Sequence, residues 1–261
     1  MEIQTNWKRV RAALRQAAES EEQVELLLPT LRLLVDACGE PSRTSKMVIR
    51  VGKALLNPHC SIIAPCCPDY THSDGQYNFR GLNGGVSLLA ELHIKFLLKI
   101  QEFVPKAKIR LLYADHEADN PELRFATGKT KEEFDSLVES SISETRCSVA
   151  PFGWEVMKMT EVIPTLVDDE KEIAQWLAET DSFRHQFSSE TMGRSDMYLR
   201  IKSQWKWEEM LERTIQTAAQ YIALGRYAAT TGQLVCNHTT TNLSWYLQTG
   251  AGVLHNPVSV Y

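Results

Sequence analysis

The chain has little that would direct it to a membrane or to nucleic acid. No uninterrupted hydrophobic run approaches the roughly 18 residues that a spanning helix needs. The opening segment is dense in charge from Lys8 onward and has no apolar core like that of a signal peptide. Lysine and arginine together number 28 against 33 acidic residues, a net charge of -5. We therefore expect a cytoplasmic protein without a membrane partner, and nucleic acid is not the expected partner.

Patterns that mark common cofactors and metals are also absent. The spacing of Gly81, Gly84 and Gly85 matches neither the dinucleotide-binding pattern G-x-G-x-x-G nor the P-loop. The six cysteines form no C-x2-C pair, which is the spacing typical of zinc sites. We predict no cofactor and no metal.

The cysteines themselves are predicted to be thiols, because the chain shows no secretion signal. Cys38, Cys147 and Cys236 lie in or beside apolar segments, which favours buried, unreactive thiols. Cys66 or Cys67 could act as a nucleophile, since His72 follows closely as a candidate base. A structural role for these two thiols is the favoured alternative.

The periodicity of the apolar residues predicts an α/β fold. The chain has 261 residues, 43% of them apolar, and can bury a full core. We predict a mostly parallel sheet with an N-terminal helical cap. Residues 1–58 would form the cap and residues 59–261 the α/β catalytic domain, which the family resemblance described below implies is Rossmann-like.

Individual elements follow from the same periodicity. Helices are predicted between residues 5 and 38 with a break near Ser20, and then over 42–56, from about 86 to 104, and over 132–144, 168–179 and 195–224. Strands are predicted at 61–65, 107–115, 147–150, 162–167, 234–236 and 252–260. The first two strands and the helix between them form one βαβ unit.

The loop after the first strand is the strongest candidate for a site. It is long and polar, whereas βα connections usually have about two to six residues. Ligands of open α/β sheets bind at the carboxyl ends of the strands. We predict a substrate-binding role for Cys66, Asp69, Tyr70 and Arg80. Arg80 and the glycines at 84 and 85, just before a helix, suit a phosphate or carboxylate, although a simple glycine turn is the alternative.

Acidic and histidine side chains follow the other strands. Asp115 and His116 come just after the second strand, so topology places them at the same sheet edge as the first loop. A carboxylate beside an imidazole is suited to proton transfer near neutral pH. His238 and His255 lie near the ends of the two late strands. They are either structural residues or members of the same site.

Five segments occur in an order that resembles a known enzyme family. They are IIAPCCPDYTHSDGQYNFRGLNGG with the helix after it, PKAKIRLLYAD, AAQYIALGRYA, LVCNH and VLHNPV. In this order they resemble the isocyanide synthases of the pyoverdine/dityrosine biosynthesis group. The resemblance covers roughly residues 61–261. It implies a Rossmann-like enzyme, without a metal, that joins the amine of an amino acid to a phosphosugar ketone. Asp115 would then handle the amine, while Arg80 and the glycine loop would hold the phosphate.

We therefore expect a transferase of small-molecule, secondary-metabolite biosynthesis that acts on the amine of an amino acid-like substrate, with Asp115 and His116 or His255 moving protons. One alternative is a tRNA-dependent aminoacyl transferase similar to the cyclodipeptide synthases. Those enzymes have a Tyr-x3-Glu element, which here would begin at Tyr221 but has Gly225 in place of the glutamate. The other is a non-catalytic ligand-binding protein on the same fold. The sequence Asp69-Tyr70-Thr71, in place of the lysine-serine-proline of the isocyanide synthases, favours the latter.

Overall fold

The computed structural model describes residues 5–37, 44–66, 71–73, 76–78, 86–115, 129–201, 205–237 and 252–255. Within these ranges the protein contains one five-stranded sheet, in which all neighbouring strands run parallel, and a separate two-stranded antiparallel hairpin. The mixed α/β class and the parallel sheet are as predicted. Among the described residues, no helix is both long and apolar enough to cross a membrane.

Three helices come first: α1 (Trp7–Arg15), α2 (Glu21–Ala37) and α3 (Ser45–Leu55). The break near Ser20 is as predicted, and Pro29 is accommodated inside α2. The three helices pack closely at Gly52, where an added Cβ would lie 2.7 Å from the Leu14 side chain. A larger residue at this position would require the Leu14 and Leu31 side chains to shift.

The first half of the sheet alternates strand and helix. It contains β1 (Ser61–Cys66), the hairpin strands β2 (Thr71–Ser73) and β3 (Gln76–Asn78), α4 (Leu88–Phe103), β4 (Lys108–Tyr113), α5 (Lys131–Val149) and β5 (Glu155–Lys158). In β1 and β4, Ser61 pairs with Lys108 and Cys66 with Tyr113. The predicted βαβ unit is thus present, with α4 beginning at its N-cap, Ser87.

The second half begins with four helices. They are α6 (Met159–Val162), α7 (Leu166–Glu179), α8 (Asp181–Ile201) and α9 (Trp207–Thr231), and the strands β6 (Leu234–Asn237) and β7 (Gly252–His255) follow. Gly232 adopts a left-handed conformation, φ 68°, and ends α9 just before β6. Helices α7, α8 and α9 pack on one another, and α9 also contacts β6.

The order of the strands is β5-β4-β1-β6-β7. The chain therefore moves outward from β1 to β5 and then returns to the opposite side of β1 as β6. The direction of winding reverses between β1 and β6. In open parallel sheets such a reversal leaves a crevice at the carboxyl ends of the strands, which is where ligands bind.

The larger of two apolar clusters among the described residues connects the N-terminal helices to the sheet. It extends from Val10 in α1 to Leu254 in β7, and its central strands are buried on both faces, as the exclusion of Ile62 and Ile63 from solvent shows. Helix α3 packs against β7, and α2 contacts α4. Helix α3 therefore lies beside the β7 end of the sheet.

Two predicted strands are wrong. Residues 147–150 continue α5 and enter a 3-10 turn, Ala150–Phe152, while residues 162–167 form the end of α6 and the start of α7. A short apolar run has the same appearance in a strand and in a buried helix, so periodicity could not separate the two. The predicted strand at 147–150 is replaced by β5, whose start is anchored by the Trp154 indole donating to Gln101 at 3.1 Å.

Two further predictions require correction. The predicted helix at 195–224 is two helices, α8 and α9, and α8 begins at Asp181. Cys147 is exposed rather than buried, because it lies on the solvent side of α5, whose core-facing residues include Val138 and Ile142. Cys60, Cys66 and Cys236 are buried free thiols.

Candidate functional site

All five parallel strands end at one edge of the sheet, which brings together residues that are distant in sequence. Their last residues are Cys66, Tyr113, Lys158, Asn237 and His255. The backbone N–H of Ala114 donates to the Cys66 carbonyl at 2.9 Å, so the chain just before Asp115 lies against the end of β1. The two predicted site residues Cys66 and Asp115 therefore share the carboxyl edge.

Most of the other predicted site residues lie outside the described residues. They are Asp69, Tyr70, Arg80, Gly84, Gly85, His116 and His238, and the same holds for Cys38 and Cys67. For His255 the structure describes the backbone, which ends β7 and pairs in register with Asn237. The roles of these residues stay predictions.

Asp115 is held in one orientation by Thr160 of α6. The Thr160 backbone N–H donates to Asp115 Oδ1 at 3.1 Å, and the Thr160 hydroxyl donates to Oδ2. Since Asp115 follows β4 and Thr160 follows β5, this contact joins the ends of neighbouring strands. The carboxylate is half-buried and keeps lone pairs beyond the two that Thr160 uses.

A positive charge lies next to this carboxylate. Lys158, the last residue of β5, forms an ion pair with Glu139 of α5. Its pKa is raised, first by the hydrogen bond that its ammonium group donates to Glu139 and further by the charges of Glu139, Glu161 and Asp115, against a lowering by burial. Lys158 therefore stays charged at neutral pH. The β4–β5 part of the edge thus combines an oriented carboxylate with an ammonium group.

Cys66 is fully buried at the end of β1. Its thiol donates to the Ala64 carbonyl over 3.7 Å. Reactive cysteines are partly exposed and lie in a positive field, whereas a buried thiol in apolar surroundings is inert. This position supports the structural interpretation of Cys66 over the nucleophilic one.

The sequence analysis missed a buried histidine, His93 of α4. His93 Nε2 lies 3.1 Å from the Pro65 carbonyl, which can only accept, so Nε2 carries the proton. In the neutral ring Nδ1 is then an acceptor, and the Cys236 thiol lies 3.4 Å from it. His93 thus connects α4 with β1 and β6 beneath the edge. It falls in an apolar helical stripe, so sequence offered no sign of this contact.

A cluster of hydroxyls fixes the start of α4. Tyr113 Oη lies 2.7 Å from Thr145, 3.3 Å from Ser141 and 3.5 Å from Ser87, all of them buried. Burial raises the pKa of Tyr113, as does the charge of Cys66 to a smaller extent. Ser87 also accepts from the Ala90 N–H at 3.1 Å as the N-cap of α4. The helix N-terminus is therefore attached to β4 and α5.

The last residue of β6, Asn237, was also missed. Its side chain is fully buried, and among the described residues neither its amide oxygen nor its amide nitrogen has a hydrogen-bond partner. Most buried polar side-chain atoms in folded proteins have partners. Its place beside the reversal between β1 and β6 is a tertiary property that no sequence pattern marks.

No protein-family model matches the chain, and no curated protein shows significant similarity to it. Among the residues that the structure describes, no three histidine, cysteine or acidic side chains come together as metal ligands would.

Proposed function

We propose that the protein is a small-molecule biosynthetic enzyme that acts on the amine of an amino acid-like substrate. The reaction would be an isocyanide-synthase-like condensation with a phosphosugar or a related carbonyl. The observation that carries this proposal is the Asp115 carboxylate, which Thr160 orients at the carboxyl edge of a parallel sheet.

The strand order supports a Rossmann-like fold for this enzyme. Numbered along the chain, the five parallel strands lie in the order 3-2-1-4-5, as in the first five strands of a doubly wound dinucleotide-type sheet. The contacts of α3 with β7 and of α2 with α4 support the N-terminal helices as a cap on this fold. Fold alone does not imply a reaction, so the site must carry it.

The chemistry requires a base at the amine. An ammonium group cannot attack a carbonyl carbon until it loses a proton, and Asp115, with His116 or His255, would bind the ammonium and take that proton. As the C–N bond forms, the carbonyl oxygen gains a proton and later leaves as water. A carboxylate already held by Thr160 needs little reorganisation to bind the amine.

The phosphate of the second substrate would bind ahead of α4. We assign it to Arg80, Gly84 and Gly85, because orphan N–H groups at a helix N-terminus attract anions. The structural support is that Ser87, the N-cap of α4, is held by Tyr113. The N–H groups of the first turn are therefore fixed relative to β4 and Asp115.

Asp115→Asn tests the proposal. An amide keeps the size of the carboxylate and can still accept from Thr160, so we expect the melting temperature to fall by only a few degrees. Because an amide takes no proton at neutral pH, turnover of amino acid with pentose phosphate should fall by about a hundredfold or more. Turnover is measured by mass spectrometry of the products, and full activity in the variant would contradict the proposal.

Asp169→Asn is the matched control. Asp169 in α7 also accepts a hydrogen bond from a threonine, Thr165, at 2.7 Å, but it follows no strand of the sheet. Its replacement should leave turnover unchanged. An equal loss of turnover in both variants would indicate a general effect of removing a held carboxylate rather than chemistry at Asp115.

A non-catalytic binding protein is the second candidate. The observation that favours it is that both Asp115 oxygens already accept from Thr160 and that the Cys66 thiol is buried. In that case amino acids, pentose phosphates or nucleotides should raise the melting temperature without product formation.

Adding aminoacyl-tRNA to the same assay tests the cyclodipeptide-synthase-like alternative, which predicts a peptide product.

A further inference from the structure

Two consecutive residues of β6 point to opposite faces of the sheet. Side chains alternate along a strand, and the Cys236 thiol contacts His93 of α4. Asn237 therefore faces away from α4. Asn237 is the last residue of β6. Val235 of β6 pairs with Ile63 of β1, so Asn237, two residues further along, lies beside Pro65 near the end of β1. Asn237 thus lies where the winding of the sheet reverses.

The surroundings of Asn237 do not use its hydrogen-bonding capacity. A carboxamide offers two N–H donors and an oxygen acceptor. Both atoms of the Asn237 amide are shielded from solvent, and neither has a hydrogen-bond partner within the part of the chain that the structure describes. Leaving a buried amide unsatisfied destabilises a protein, whereas an apolar side chain of the same size would not. No hydrogen bond among the described residues therefore accounts for an amide at this position.

We propose that Asn237 is a ligand-binding residue at the β1–β6 crevice, where its carboxamide recognises a group with a hydrogen-bond donor beside an acceptor. The ligand donor bonds to Oδ1, and Nδ2 donates to the ligand acceptor. This inference deepens the proposed function and rests on it in placing the ligand at the carboxyl edge.

Two kinds of ligand present this chemistry. In an amino acid, the ammonium group would donate to Oδ1 and the carboxylate would accept from Nδ2. In a nucleoside, an exocyclic amine beside a ring nitrogen offers the same pair, as in adenine and cytosine. Under the proposed function the ligand is the amino acid. Binding of adenosine or cytidine through Asn237 would instead identify a nucleobase.

Asn237→Leu tests the role of the amide. Leucine has nearly the same shape and removes both polar atoms, so we expect the melting temperature of the free protein to rise by about 2–4 °C. Affinity for the bound probe should fall by about tenfold to a hundredfold, since a hydrogen bond to a charged ammonium or carboxylate group contributes a factor of about ten or more. Calorimetric titration with the 20 common L-amino acids, adenosine and cytidine measures the affinity.

Thr214→Val is the matched control. Thr214 is equally buried, but its hydroxyl lies 2.9 Å from that of Thr191 and donates to the Met210 carbonyl at 3.0 Å. Its replacement should lower the melting temperature and leave probe affinity unchanged. The two variants are therefore expected to shift the melting temperature in opposite directions.

Asn237→Asp gives a second test that preserves shape. It keeps the acceptor and loses the donor, so amino acids and nucleobases should both bind at least about tenfold more weakly. Three results would overturn the inference: no probe binds the unmodified protein, the Leu and Asp variants bind as it does, or Asn237→Leu lowers the melting temperature. The last would mean that the protein itself satisfies the amide.

These results are separable from those that test the proposed function. Binding that depends on Asn237 in a protein without turnover would contradict the enzyme and support the inference. Turnover that depends on Asp115 and is insensitive to Asn237→Leu would support the enzyme and contradict the inference.

Discussion

The two faces of the sheet differ at their carboxyl edge. On the face of α4 and α5, polar side chains contact one another: Tyr113 lies against Thr145, and His93 lies between the Pro65 carbonyl and Cys236. On the opposite face the amide of Asn237 has no hydrogen-bond partner among the described residues. Both sets of residues are buried, so the two faces differ in hydrogen bonding and not in burial.

The largest loss of stability is expected from breaking the satisfied face at His93. His93→Ala removes the partners of the Pro65 carbonyl and the Cys236 thiol and leaves a cavity beneath the edge. We expect the free energy of unfolding to fall by about 3 kcal/mol. Urea denaturation followed by circular dichroism measures it.

The control for this prediction is His59→Ala, because His59 is exposed. It should change the free energy of unfolding by less than about 0.5 kcal/mol. If His93→Ala lowers the free energy of unfolding by no more than His59→Ala does, the polar groups on the α4 face are not structural and the contrast with Asn237 disappears.

A smaller loss is expected from Tyr113→Phe on the same face. The change removes one hydroxyl from the cluster with Thr145 and Ser141. We expect it to lower the free energy of unfolding by about 1–2 kcal/mol near neutral pH. The reference is Tyr227→Phe, since Tyr227 is only half-buried in α9. Equal costs for the two variants would contradict a structural role for the Tyr113 hydroxyl.

Tyr113 also predicts a dependence on alkaline pH. Burial raises the folded-state pKa of Tyr113 above its usual value of 10.0. Stability from this group is therefore complete below pH 10 and falls as the pH rises above it, because the unfolded chain ionises first. Burial likewise raises the pKa of Cys60 from 9.0 to about 11, so the contribution of Cys60 to stability begins to fall near pH 9. Denaturation at pH 8–11 should show a flatter decline in Tyr113→Phe, and a decline as steep as in the unmodified protein would contradict this.

The smallest effect is expected from Lys158→Met. The ion pair with Glu139 lies largely in solvent, where such pairs contribute about 0–1 kcal/mol and salt screens them. Lys158→Met should lower the free energy of unfolding by less than about 1 kcal/mol, and this difference from the unmodified protein should shrink in 1 M NaCl. A larger loss that persists in salt would place Lys158 among the structural groups of the edge.

The arrangement of helices and the first strands was predictable from local pattern. The break near Ser20 and the βαβ unit of β1, α4 and β4 follow from apolar periodicity and from the N-cap at Ser87. The placing of Asp115 beside the end of β1 followed from parallel topology. The strand β5 was missed because its four residues, Glu155–Lys158, show no alternation strong enough to distinguish them from a loop.

The amino-acid sequence by itself determined the α/β class, the parallel pairing of β1 with β4 and the carboxylate at their edge, because these depend on apolar periodicity and on the order of strand, helix and strand along the chain. Only the tertiary structure decided that His93 meets Cys236 and that Asn237 ends beside β1 with no hydrogen-bond partner among the described residues. These relations join residues far apart in sequence; His93 and Cys236 are separated by 143 positions. Hydrogen-bond satisfaction depends on distances across such contacts, and local patterns of polarity carry no information about them.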